Sequence, residues 1–392
     1  MHVGLFHTRA GFRHAGGKAI FVRKLATALA RDHEATLYTR LESDSEVAQR
    51  LEDAGVRLVA LPDPPRVAER LVERLLPLKA DPLVPLTHSL TAGVLADIDA
   101  ETDVLLTHRF LEDLVLSNLV DVPVAYQYHN VQSVGTGAKL RERFSKASLH
   151  LANSEAIASE VEQHFGRSVD GIVSPGVDTD LFSPDAAAEG ALAGDGGHAD
   201  GSHTDHVHLD HADDAEDGPT VLFVGRIVES KGVFDLLDAL ARIDVTPTVR
   251  FVGDGDIDAA RARAEALGIA ESIHFLGERD HEHLPAYYAS ADVFCNPTHY
   301  EGFGMTNVEA MACGTAVVTT DLPGITEYAT DGENAVLVPP QSPEALADAL
   351  DSMLAAPARR DRLARAARET AEQYDWHAQA ERLVGTVSES GL

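Results

Sequence analysis

Lysine is scarce in this chain: only Lys18, Lys24, Lys79, Lys139, Lys146 and Lys231 occur among 392 residues. Acidic side chains outnumber basic ones 63 to 32, for a formal charge of −31. Such a surplus makes the compact state repel itself unless salt screens it, so the composition reads as adaptation to a high-salt cytoplasm. It also has the wrong sign for a nucleic-acid backbone, which excludes that partner. Cysteine is nearly absent too. Cys295 and Cys313 cannot build a disulfide framework, and both lie among apolar neighbours, as reduced core residues do. No apolar run approaches the length that crosses a bilayer. The opening MHVGLFHTRAGF lacks the basic start, long apolar stretch and cleavage site of a secretion signal. It reads as a buried strand entering a glycine loop, and the expected location is cytoplasmic.

A hydrophobic content of 44% supports a sizeable core, and the length is too great for a single one. Short apolar runs alternate with helical patterns. In the first half the strand-like runs are His2–His7, Ala35–Thr39, Arg57–Leu61, Val104–Thr107, Val124–Tyr128, Leu149–Asn153 and Gly171–Ser174. Amphipathic stretches such as Lys18–Ala30, Arg66–Leu76 and Ala156–Phe165 separate them. The rhythm resumes with Thr220–Val224, Thr248–Val252, Ser272–Leu276, Val293–Asn296, Ala316–Thr319 and Ala335–Val338. Uninterrupted apolar strands alternating with helices predict α/β architecture: two doubly wound, Rossmann-like parallel-sheet domains. The expected division is 1–184, then an acidic insertion at 185–218, then 219–392, with the last helix free to cross back to the first domain. The insertion is rich in Ala, Gly, Asp and His and has too few large apolar residues to order itself. Its His198, His203, His206, His208 and His211 raise the question of a metal; a solvated acidic loop is the preferred reading, and no metal site is expected.

The most informative segment runs Tyr300-Glu301-Gly302-Phe303-Gly304-Met305-Thr306-Asn307-Val308-Glu309 and ends its helix at Gly314. A glycine loop at a helix N-terminus offers free N–H groups and the positive dipole end, which suits a diphosphate. Glu301 precedes the loop and Glu309 lies within the helix. One carboxylate is thus placed to meet the sugar end of a ligand, the other its ribose hydroxyls. A surface helix with two solvated glutamates is the plain alternative. A second segment, Phe223-Val224-Gly225-Arg226-Ile227-Val228-Glu229-Ser230-Lys231-Gly232, brings Arg226 and Lys231 to the carboxyl end of a sheet, where such sheets bind ligands. Fixed cations stabilise a departing diphosphate. Ordinary solvated charge is the alternative here, though a chain with six lysines spends one at this turn.

On these segments the chain resembles the retaining glycosyltransferases of family 4, which adopt the GT-B fold of two such domains facing a central cleft. Ser174-Pro175-Gly176-Val177-Asp178-Thr179-Asp180-Leu181-Phe182, Val252-Gly253-Asp254-Gly255, Pro285–Phe294 and Pro323-Gly324-Ile325-Thr326-Glu327 also fall where the family would place them. The resemblance implies transfer of a sugar from a nucleotide-diphosphate sugar to a hydroxyl acceptor, with retention and without a cofactor or metal ion. It implies that Glu301 contacts the transferred sugar, Glu309 the ribose, and Arg226 and Lys231 the diphosphate. Phe303, Gly304, Met305 and Thr306 would hold sugar hydroxyls and phosphate, and Arg279 would lie near the base. In the first domain Ala15-Gly16-Gly17 is similar to the family's phosphate or acceptor loop, and His129, after Val124–Tyr128, to the position that contacts the donor sugar; His108 is a weaker competitor. Two departures from the family pattern, Thr315-Ala316 after Gly314 and Asn307-Val308 before Glu309, touch local packing.

Two basic, apolar stretches break the acidic trend: 66–79, with Arg66, Arg70, Arg74 and Lys79, and 139–146, with Lys139, Arg141, Arg143 and Lys146. Such stretches suit a lipid-linked acceptor or a peripheral contact at the inner face of the cell membrane; core-facing helices with solvated basic residues are the alternative. Two rival functions remain in view. A nucleotide-sugar epimerase of the same architecture would release a changed donor without an acceptor, and a binding module would not turn over. A phosphorylase would need a pyridoxal-binding lysine, for which Lys231 has the wrong context.

Overall fold

The computed structural model describes residues 1–13, 16–42, 45–62, 92–131, 136–186 and 218–392. The basic stretch 66–79 and the histidines of the acidic insertion lie outside the described residues. The chain divides into two compact units, Met1–Pro175 with Trp376–Leu392, and Gly176–Asp375.

In the first unit seven strands, β1 (His2–Phe6), β2 (Glu34–Thr39), β3 (Arg57–Ala60), β4 (Val104–Thr107), β5 (Val124–Tyr128), β6 (Leu149–Ala152) and β7 (Gly171–Ile172), form one sheet in the order β3-β2-β1-β4-β5-β6-β7. Its pairings are parallel, with Leu5 opposite Leu37 on one side and Leu106 on the other. The central strands are buried along nearly their whole length, because helices cover both faces and no water-facing side remains. Three helices matter below: α1 (Gly16–Leu29), α2 (Phe110–Leu116) and α3 (Thr136–Phe144).

The second unit repeats the plan with β8 (Thr220–Val224), β9 (Thr248–Val252), β10 (Ile273–Gly277), β11 (Val293–Asn296), β12 (Ala316–Thr320) and β13 (Val336–Val338), ordered β10-β9-β8-β11-β12-β13. Its site-bearing helices are α4 (Val233–Leu240) and α5 (Met305–Ala312). The strand-like runs of the sequence are all strands, with ends displaced by at most two residues. Cys295 and Cys313 are buried thiols.

One boundary differs from the sequence division, and the last helix crosses back as that division allowed. Residues 176–184 belong to the second unit, not the first. Phe182 is buried there against Tyr288, and Pro184 lies beside Gly314. After Asp375 the chain rejoins the first unit through α6 (Trp376–Glu389). There Gln379 Oε1 accepts from the Ser174 amide at 3.0 Å, and Trp376 meets the Phe21 ring edge-on at 5.5 Å. Apolar burial between α6 and α1, rather than sequence proximity, decides where the last helix rests.

In each sheet the strand order reverses direction once, between β1 and β4 and between β8 and β11. Open parallel sheets bind ligands outside the carboxyl ends of the strands at such a point. The loops after β8 and β11 carry Arg226, Lys231 and Glu301; those after β1, β4 and β5 carry Gly16, His108 and His129.

Candidate active site

In the second unit Lys231 and Glu301 converge, although 70 residues separate them: Nζ donates to Glu301 Oε2 at 2.6 Å. Lys231 closes a single 3-10 turn after β8, and the left-handed Gly232 starts α4. A Cβ at Gly232 would sit 1.9 Å from the Pro297 carbonyl oxygen, so only glycine lets the loops after β8 and β11 approach this closely. The side chains are one-quarter and one-fifth exposed, so the pair is open to a ligand. Arg226, just past the end of β8, is exposed, and among the described residues its guanidinium makes no hydrogen bond or ion pair.

Past Glu301 the chain turns through Gly304 at φ 89° into α5. A Cβ there would meet Tyr328 Oη at 2.9 Å and Glu301 Cγ at 3.2 Å. The turn is held by polar groups that the motif itself does not contain. Tyr328 Oη donates to the Phe303 carbonyl at 2.8 Å and accepts from Asn307 Nδ2 at 2.9 Å; Asn307 Oδ1 in turn accepts from Asn296 Nδ2 at 3.0 Å. Asn307, one of the two departures noted in the sequence, is fully buried and satisfied by these bonds, so packing is not disturbed. Burial keeps the Tyr328 phenol protonated far above its ordinary range, which preserves it as a donor.

Glu309 is 4% exposed and both of its carboxylate oxygens are engaged. His281 Nε2 lies 2.7 Å from Oε1, and Tyr288 donates its hydroxyl to Oε2 at 2.9 Å. Each oxygen keeps a further lone pair for a ligand hydroxyl. Burial, then the Glu309 charge, holds the Tyr288 phenol protonated. Arg279, two residues before His281, donates Nε–H to Tyr287 Oη at 3.0 Å. Sequence reasoning missed Tyr328, Tyr288 and His281. None lies in the glycine motif, and only the strand order brings their segments to it.

In the first unit, Gly16 (φ 71°) and Gly17 open α1 and are exposed. His129 Nε2 lies 3.1 Å from His108 Nδ1, so one ring donates and the other accepts, and the Phe21 edge packs on His129 at 4.9 Å. The two histidines that compete for one role in the sequence are therefore bonded neighbours. Burial and then the Lys18 charge hold the His129 imidazole well below its usual pKa; burial and the neighbouring His7 do the same for His108. His7 is pushed down to about 3, by burial and then Arg109. All three rings are neutral near pH 7.

The stretch 139–146 does not present all its basic residues outward. Arg141 is 1% exposed: Nε donates to Asp113 Oδ2 at 2.7 Å, and the guanidinium also bonds Glu142 and the Tyr128 hydroxyl. Its group lies 3.9 Å from the Tyr126 ring centre. This is an internal counter-ion network, so Arg141 leaves the set of membrane-facing candidates. Lys139, Arg143 and Lys146 are exposed, as are Leu140, Phe144 and, on α2, Phe110. Among the described residues no helix is long and apolar enough to cross a membrane.

With two parallel-sheet units and this loop chemistry in view, comparison with known proteins gives the class. The family described as "Glycosyl transferases group 1" matches residues 210–370. The D-inositol 3-phosphate glycosyltransferase of Xylanimonas cellulosilytica is 30% identical over 399 residues, covering 93% of this chain and 90% of that protein. The phosphatidyl-myo-inositol mannosyltransferase of Mycobacterium leprae is 41% identical over 180 residues, 44% of this chain and 48% of its own length. Among solved structures, the sucrose-phosphate synthase of Thermosynechococcus elongatus superposes with a TM-score of 0.74 at 25% identity, over 99% of this chain and 98% of that one. The chain belongs to the group 1 glycosyltransferases and has the GT-B fold.

Proposed function

We propose that this glycosyltransferase takes its sugar from a nucleotide-diphosphate donor, retains the anomeric configuration, and needs no metal ion. The observation that carries the reading is the Lys231–Glu301 contact of 2.6 Å beside the Gly304 turn at the mouth of α5. A lysine, an exposed arginine and a helix N-terminus are what a diphosphate leaving group requires, and they supply the charge stabilisation that a divalent cation supplies elsewhere. Lys231 is paired with Glu301. An arriving diphosphate takes over the ammonium, and the carboxylate turns to the sugar hydroxyls. Glu309, already oriented by His281 and Tyr288, accepts the ribose hydroxyls.

The acceptor hydroxyl attacks the face from which the diphosphate leaves, and the departing phosphate oxygen takes its proton. Glu301 orients the sugar; it is not the nucleophile. Relatives named for D-inositol 3-phosphate and phosphatidyl-myo-inositol support a polyol acceptor, free or lipid-linked. The exposed Lys139, Arg143 and Lys146 with Leu140 and Phe144 support a peripheral contact with an anionic membrane surface. The charge of −31 supports a working environment rich in salt.

The test is incubation with a panel of nucleotide sugars, with and without polyol and lipid acceptors, in chelator. The expected result is acceptor-dependent release of nucleoside diphosphate, with the donor's anomeric configuration in the product by proton NMR. Release of an epimerised donor without acceptor, or loss of turnover in chelator, overturns the reading.

A further inference from the structure

A group of metal-binding side chains lies in the first unit, away from the loops already described. Asp32, His377 and Glu381 each bring a ligand atom within 4.8 Å of the other two. His33 joins them, its Nε2 3.0 Å from Glu381 Oε1, while His377 Nδ1 lies 3.6 Å from Asp32 Oδ2. Ligands held tetrahedrally at about 2.0–2.2 Å from zinc are about 3.3–3.6 Å apart, so small side-chain rotations close these groups on an ion. Two imidazoles set the group apart from the exposed acidic residues that abound on a chain of net −31. Among the described residues Asp32 and Glu381 pair with imidazoles alone, and no lysine or arginine neutralises either carboxylate.

The backbone holds the four groups ready. The turn after α1 is fixed by the His33 amide, which donates to the Leu29 carbonyl at 2.8 Å. On α6, His377 and Glu381 stand four residues apart and so on one side of the helix. Trp376, Gln379, Ala380 and Leu383 are buried, so one face of α6 docks and an adjoining edge carries the chelating pair. Asp32 and His33 line a cleft open to solvent, which gives an ion its way in. The donor atoms select the kind of ion. Imidazole suits zinc and its first-row neighbours, whereas calcium and magnesium take oxygen ligands.

We propose that Asp32, His33, His377 and Glu381 bind a divalent transition-metal ion of the zinc type, which clasps the returning helix α6 to the end of α1. Four protein ligands leave no open position for a substrate, as in structural zinc sites. Gly16 and Gly17 lie at the opposite end of α1, which at 14 residues is about 20 Å long. The role is therefore structural, and it stands apart from the transferase reading and its metal-free chemistry.

The experiment strips the full chain with chelator, dialyses it, and titrates it with zinc chloride by calorimetry. Three variants accompany the wild type: His377→Ala, Glu381→Gln, and His206→Gln with His208→Gln, the last removing a histidine pair of the acidic insertion. Wild type and the insertion variant are expected to bind zinc at a common site. His377→Ala and Glu381→Gln are expected to weaken that site by about 10- to 100-fold or more, at least what loss of an outer-shell partner costs. Cobalt in place of zinc is expected to give the visible absorption of a tetrahedral ion in the wild type and not in His377→Ala. At free zinc about 100-fold above Kd the unfolding temperature is expected to rise by several degrees, because the ion binds the folded chain, and the rise is expected to vanish in His377→Ala. Zinc binding that disappears in the insertion variant, or that His377→Ala leaves unchanged, overturns the proposal. Binding without a rise in unfolding temperature marks an adventitious surface ion and overturns the clasp. Turnover below the unfolding temperature is expected to be equal with and without zinc; turnover that falls with His377→Ala in step with zinc affinity overturns the structural role.

Discussion

At the scale of single residues, some positive charges sit where burial and a partner make them count. Arg141 is the clearest structural case. It is enclosed with Asp113, Glu142 and Tyr128, and removing it strands buried carboxylate charge. Arg141→Ala is expected to lower unfolding free energy by about 3–5 kcal/mol, measured by chemical denaturation; a loss under about 1 kcal/mol would show that the network is not closed in solution. The histidines give a prediction with a sign. An imidazole in the unfolded chain protonates near pH 6.5, but His7 in the fold does so only near 3 and His150, beside Arg141 and Arg167, near 4. Between those values the unfolded state binds the extra proton, so stability falls as pH falls below about 6.5, by about 1.4 kcal/mol per pH unit for each such ring. His7→Gln should flatten the denaturation midpoint between about pH 5 and pH 7. An unchanged slope in that variant would mean that His7 is not held neutral.

At the scale of elements, the turn into α5 is a glycine loop braced from outside its own motif. The loop and its two glutamates were legible in the sequence, because a strand, two glycines and a helical pattern in succession admit few other readings. The brace was not. Tyr328 lies in a loop beyond β12, and nothing local to it announces that its hydroxyl reaches Phe303 and Asn307. Likewise Asn307 looked like a polar intruder until Asn296 and Tyr328 were seen to pair with it. Tyr328→Phe should keep the fold, cost about 1–3 kcal/mol for the polar groups left unpaired, and lower kcat/KM for the donor more than it lowers stability. If activity follows only the folded fraction, the brace does not position the site. The helix Thr136–Phe144 teaches the opposite lesson: its basic composition was legible, but the burial of Arg141 depends on Asp113 in another helix and on β5, contacts with no local sequence signature.

At the scale of the whole molecule, alternation of apolar runs and helices was enough to specify two parallel sheets, since uninterrupted strands are stable only when covered on both faces. The return of Trp376–Glu389 to the first unit was left open by the sequence, because a helix's apolar stripe does not say which sheet it will cover. Surface charge also belongs to this scale. If Lys139, Arg143, Lys146, Leu140 and Phe144 meet a membrane, the protein floats with anionic vesicles and is released by Phe144→Glu with Lys139→Glu; absence from the lipid fraction in dilute salt counts against the contact. The most direct test of the central claim is turnover of Lys231→Ala with the donor found in the panel. A loss of about 100-fold or more in kcat, with the unfolding temperature unchanged, is what diphosphate stabilisation by this lysine predicts. Near-normal turnover in that variant would contradict it.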